Sequence, residues 1–209
     1  MPSRLVVSQR RSLLVEAAFR VIARGGIEAA TTRAICAEAG MAQSSFHYAF
    51  DSRDELLAAV VTRGASDALA AATAPVAPPA QPPSVAAPLA ELLRAGLRGY
   101  LDSVAADPGR EQALLTLNLY AQRTPGLESF AQQMYAQYYD VAEQALAGIA
   151  AAARIQWTLP PRALAPVLVS ATDGLTQAWL ATRDAEVAER LIAAAVMMLS
   201  GFATTTEEL

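Results

Sequence analysis

The chain has 209 residues, 54% hydrophobic and 17% charged, which is enough apolar material for a packed core and excludes a chain disordered by composition. One cysteine and one histidine rule out an internal disulfide and a Cys/His metal cluster, and the longest charge-free stretch, 68–90, carries six prolines and cannot span a membrane as a helix. The net charge of −4 hides an asymmetry: residues 1–63 hold eight arginines against six acids, whereas 64–209 hold eight against fourteen, so the front end is the part suited to a polyanion.

Alanine is abundant, β-branched and aromatic runs are sparse, and an all-α fold of about nine helices is expected. The first helix is expected over 8–24, with Leu13, Leu14, Ala17, Ala18, Val21 and Ile22 on one face and Gly25-Gly26 ending it. A short second helix follows the capping hydroxyl of Thr31 and ends at Gly40; a third lies within 43–50; a fourth runs from Arg53 to about residue 72. Residues 74–88 read as an exposed proline-rich loop. Five more helices are expected near 89–106, 109–122, 126–154, 161–182 and 185–203, separated by Asp107-Pro108-Gly109, Thr124-Pro125-Gly126, Leu159-Pro160-Pro161 and the Arg183-Asp184 turn. The organisation is a helix-turn-helix head, 1–58, and a larger helical body, 59–209.

Chemistry concentrates between Thr31 and Phe50. Two short helices joined at Gly40 have the layout of a helix-turn-helix, with Gly40 supplying positive φ, Cys36 or Ala39 small at the crossing, and Ile35, Met41, Phe46 and Phe50 as apolar anchors. The second helix of such a motif enters the major groove, where Gln43, Ser44 and Ser45 suit base edges. Thr31, Thr32, Arg33 and Arg53 suit phosphates. His47 can donate to a phosphate or a base, and Tyr48 offers a hydroxyl; each of these residues can equally belong to a solvated helix face. Arg10 and Arg11 are either solvated or on the phosphates or minor groove. Cys36 reads as a buried packing residue rather than a redox sensor.

Arg11–Leu57 resembles the N-terminal domain of TetR-type, tetracycline-repressor-like regulators, through Ala17-Ala18, Gly26, Thr31, Ile35, Ala39-Gly40, the Phe46–Phe50 block and Ser52-Arg53-Asp54-Glu55-Leu56. The resemblance implies a dimeric all-helical repressor with three DNA-binding helices and a ligand-binding body. His47 stands where the family usually has Tyr, Ala49 where it often has His, Cys36 in place of the usual Ala, and Arg53 in place of Lys.

In the body, Tyr100, Leu114, Leu117, Asn118, Tyr120, Met134, Tyr135, Tyr138 and Trp179 are core residues or the lining of an apolar effector site. Tyr100, Leu114, Asn118, Tyr120, Met134, Tyr138, Gln177 and Trp179 are the candidate ligand contacts, for a hydrophobic or aromatic effector. Along the last two helices Val167, Ala171, Leu175, Ala178, Leu191, Ala195, Val196 and Leu199 form stripes that a homodimer would bury, or that pack only within the chain. No metal, cofactor, catalytic set or membrane partner is implied, and no secretory leader is evident at the start of the sequence, so a cytoplasmic protein is expected. The expected function is a ligand-responsive regulator, in the sense of a repressor, acting on a two-fold-related DNA operator. The competing reading is a helical carrier of hydrophobic molecules whose head binds protein.

Overall fold

The computed structural model describes residues 6–73, 88–125 and 128–205. Among them the chain forms nine helices: α1 (Val7–Ala29), α2 (Thr32–Glu38), α3 (Ser44–His47), α4 (Arg53–Thr73), α5 (Leu89–Ala106), α6 (Pro108–Arg123), α7 (Glu128–Ala153), α8 (Pro161–Thr182) and α9 (Ala185–Ser200). The expected all-α class holds. The proline-rich loop expected at 74–88 lies, but for Pro88, outside the described residues.

The capping residues act as their chemistry dictates. The Thr31 hydroxyl accepts from the Ala34 amide at 3.1 Å and opens α2, Ser52 Oγ does the same for Glu55 N ahead of α4, and Asp107 Oδ1 takes the Arg110 amide ahead of Pro108 at the first turn of α6. Asp184 Oδ1 accepts from Glu186 and Val187 and starts α9. Gly26 does not end α1 but kinks it: at φ 72° and ψ −177° it interrupts the helical backbone, and the helix resumes to Ala29. Gly40, at φ +66°, makes the turn after α2.

Two short strands were not expected. Arg154 leaves α7 in the left-handed region, after which β1 (Ile155–Trp157) pairs antiparallel with β2 (Ala203–Thr205), Gln156 facing Thr204. Ile and Trp in one strand and successive threonines in the other are good strand formers, but three residues carry too little periodicity to be read as a strand alone. The expected end of the last helix at 203 is therefore shortened to Ser200.

Packing divides the chain into two compact units, Met1–Gly64 with Asp107–Tyr135 and Ala65–Ala106 with Ala136–Leu209. In the first, α1 buries Leu14, Ala17, Ala18, Phe19, Val21 and Ile22 and packs against α2 and α6. Arg110 of α6 donates to Glu16 Oε2 of α1 at 2.7 Å and lies over the Phe19 ring at 4.1 Å. Arg63 of α4 stands 3.4 Å from the other Glu16 oxygen, within ion-pair reach. Gly64 lets α4 approach α6 closely, since a Cβ there would fall 2.6 Å from Leu114 Cδ1. The second unit gathers Leu93 and Leu97 of α5, Leu146 of α7, Leu164 and Leu175 of α8 and Ile192, Val196 and Leu199 of α9 into one core. The Trp157 indole N–H donates to Leu146 O at 3.0 Å and ties the strand pair to it.

Candidate functional site

The head is built on three buried anchors. Ile35, Phe46 and Phe50 are each no more than 1% exposed, and the rings of Phe46 and Phe50 meet at 5.8 Å. Cys36 is buried beside the Phe46 backbone, and burial pushes its thiol above the ordinary range, which keeps it a neutral packing group.

With Phe46 turned inward, the rest of α3 is turned out. Gln43, Ser44 and His47 are exposed, Ser45 is half-buried, and Tyr48 is 71% exposed with the Arg10 guanidinium 5.7 Å from its ring centroid. Arg33 on α2 is exposed and Thr32 half-buried. A run of hydrogen-bonding side chains around so short a helix, one large phenol and nearby guanidinium groups, all outside the packed core, form a surface that can enter a groove and hold its phosphates.

Two expected arginines have internal tasks. Arg53 donates through Nε to Ala30 O at 2.9 Å and through Nη2 to Ile27 O at 2.6 Å, closing the carbonyl end of α1. Only part of its guanidinium fork is left for a phosphate. Arg11 donates to Ala49 O and, at 2.8 Å, to Glu55 Oε1, while its guanidinium stacks 4.1 Å above Phe50. The Asp51 amide and then Arg11 hold the Glu55 carboxyl below its ordinary range. These contacts fix the tail of α3 between α1 and α4, and a lone polar residue in sequence gives no sign of them.

Glu38 is the strongest clamp on α2. Arg24 and then Arg20, both from α1, hydrogen-bond its carboxylate and lower its pKa from 4.5 to about 2. A folded-state value below the unfolded one stabilises above about 4.5, and this contribution is lost as pH falls toward about 2. The thermal midpoint of Glu38→Gln should therefore lie below that of the native protein at neutral pH, with the gap closing on acidification to about 2. A gap independent of pH would remove the clamp.

The candidate ligand residues divide between the two units. Leu114, Asn118 and Met134 are buried in the first, where Asn118 Oδ1 accepts from Gln122 at 3.0 Å and Tyr120 is half-buried. In the second, Tyr100 Oη shares a 2.6 Å hydrogen bond with Thr176, Tyr138 is half-buried and Gln177 exposed. The Trp179 indole N–H is buried without a hydrogen-bond partner among the described residues. Of this set only Tyr120 lines the shallow cleft that opens in the first unit, together with Asp54, Leu57, Leu117 and Phe130. Asp54 reads in sequence as a first-turn helix acid, so its place beside the cleft had no local signal.

Among the candidate dimer residues, Leu175, Ala195, Val196 and Leu199 are buried in the chain's own core, and Val167, Ala171 and Ala178 are half-buried. Leu191 remains exposed, and so do Met197 and Met198, which the stripe left out.

The fold and the outward face of α3 define a helix-turn-helix DNA-binding protein. Residues 14–60 match the profile of the bacterial regulatory proteins of the tetR family. The chain is 26% identical over 178 residues to the HTH-type nicotine-responsive transcriptional repressor HdnoR of Paenarthrobacter nicotinovorans, covering 85% of this chain and 87% of that protein. It is 40% identical over 58 residues to the HTH-type transcriptional regulator PksA of Bacillus subtilis (strain 168), 28% of each chain. A solved Rhodococcus sp. structure assigned to the TetR family of transcriptional regulators shares the fold at a TM-score of 0.74 and 19% identity, over 94% of this chain and all of that one. This chain belongs to the TetR family of transcriptional regulators. That family binds DNA operators and small-molecule effectors, in general without enzymatic activity, and no helix among the described residues is long and apolar enough to cross a membrane.

Proposed function

We propose that the chain is a cytoplasmic repressor that binds a pseudo-palindromic operator as a homodimer and is released by a small, mainly apolar effector. The observation that carries this reading is the exposed face of Gln43, Ser44, His47 and Tyr48 on a head whose other large side chains are packed away. In it, residues 1–58 read DNA and residues 59–209 sense the effector and dimerise. Gln43, Ser44 and Ser45 meet base edges; Thr31, Thr32, Arg33, His47, Tyr48 and the free part of Arg53 meet phosphates. Leu191, Met197 and Met198 are apolar side chains that a second copy would cover. The effector acts by population shift: it binds better to a dimer whose two heads no longer match successive major grooves. The response of HdnoR to nicotine, a small organic molecule, supports an effector of that size.

Selection of bound fragments from a sheared genomic library at near-physiological salt tests the reading. Enrichment of one two-fold-related motif is expected, with affinity falling steeply as salt rises. A folded dimer that enriches no motif overturns it in favour of a carrier.

A further inference from the structure

The cleft of the first unit lies against the first turn of the helix that follows the reading helix. Leu57 and Leu117 and the rings of Tyr120 and Phe130 line it, with Asp54 as its one charged group, and the space counts about 230 Å³ with its open mouth. The acids around it are otherwise spoken for: Glu16 binds Arg110, Glu38 binds Arg20 and Arg24, and Glu55 binds Arg11 and the Asp51 amide. No hydrogen bond or ion pair engages the Asp54 carboxylate among the described residues. An apolar cleft with two aromatic rings and an unengaged carboxylate selects by charge. A neutral guest would strip water from Asp54 and return nothing, and an anion would be repelled. A cation gains the carboxylate and the negative faces of the rings together.

We propose that this cleft binds a small organic cation, its ammonium group against Asp54 and its apolar body against Leu57, Leu117, Tyr120 and Phe130. Binding stands independently of the regulator reading, and the consequence rests on it: a guest here touches α4 within its first two turns, next to the Arg11–Glu55 and Arg53 contacts that position the reading helix. A cation would thus act on operator affinity at the head itself.

The test uses the full chain and two probes of one shape, 2-phenylethylammonium and 2-phenylethanol, titrated at neutral pH by protein-detected NMR. The ammonium should bind about tenfold tighter than the alcohol, with shifts centred on Leu57, Tyr120 and Phe130. Asp54→Asn should cut that preference to about twofold or less, and since Asp54 is exposed its helicity and thermal midpoint should match the native protein. Equal binding of the two probes, shifts elsewhere, or a preference that survives Asp54→Asn overturns the site; the shift map on the native chain decides the matter even if the variant folds poorly. A second arm measures operator affinity with the ammonium at saturation. A drop that Asp54→Asn abolishes supports the effector role, and unchanged affinity removes that role. A chain that binds no operator at all counts against the regulator reading alone.

Discussion

Phe46→Ala is expected to abolish operator binding by unfolding the head rather than by removing a contact. The ring is 1% exposed, packs on Phe50 and holds the short α3 against the layer formed by α1 and α2. Truncating a buried phenylalanine costs about 3–5 kcal/mol, because the transfer free energy of the ring is lost and a cavity is left that a four-residue helix cannot collapse into. For a unit of this size that corresponds to a fall in thermal midpoint on the order of 15 °C. The fall is measurable by circular dichroism without DNA, which separates it from any effect on recognition. A variant with a native midpoint and no operator binding would mean that Phe46 touches DNA and that the head has been oriented wrongly.

The second large effect is in recognition and takes a different form at two neighbouring positions. Arg33→Ala should weaken binding to every sequence alike, by roughly 1–3 kcal/mol, and lower the salt slope by about 1, as expected when one phosphate contact is lost. Gln43→Ala should cost a similar amount on the operator but little on non-specific DNA, relaxing the preference at one base position while the salt slope stays as it was. Both side chains are exposed, so stability should be near native in each. Equal behaviour of the two variants on all sequences would remove base reading from Gln43.

Much of this fold could be read from local chemistry. Prolines, aspartates and threonines mark where helices start, and the ends of α5 and α8 fall on the expected residues because such signals need no partner. What depended on partners could not be read. An apolar stripe says that a face is covered without saying by what: Leu175, Ala195, Val196 and Leu199 carry the periodicity of a dimer face and are covered by their own chain. The packing of α6 with α1 rests on Arg110 reaching Glu16 and on Gly109 passing Ala23, contacts between residues more than eighty positions apart. Arg53 illustrates the same limit within the motif, since a cation in the right place for a phosphate was also in reach of two helix-end carbonyls.

The burial of Cys36 has a practical consequence. It is the only thiol in the chain, and it lies beneath the reading helix with its sulfur neutral and out of contact with solvent. A thiol reagent can reach it only in the molecules whose head is momentarily open. Its alkylation rate under native conditions therefore clocks the opening of the DNA-reading half of the chain, residue-specifically and without an introduced label. Because the signal comes from one site, the same clock run with operator bound reads how firmly DNA shuts the head.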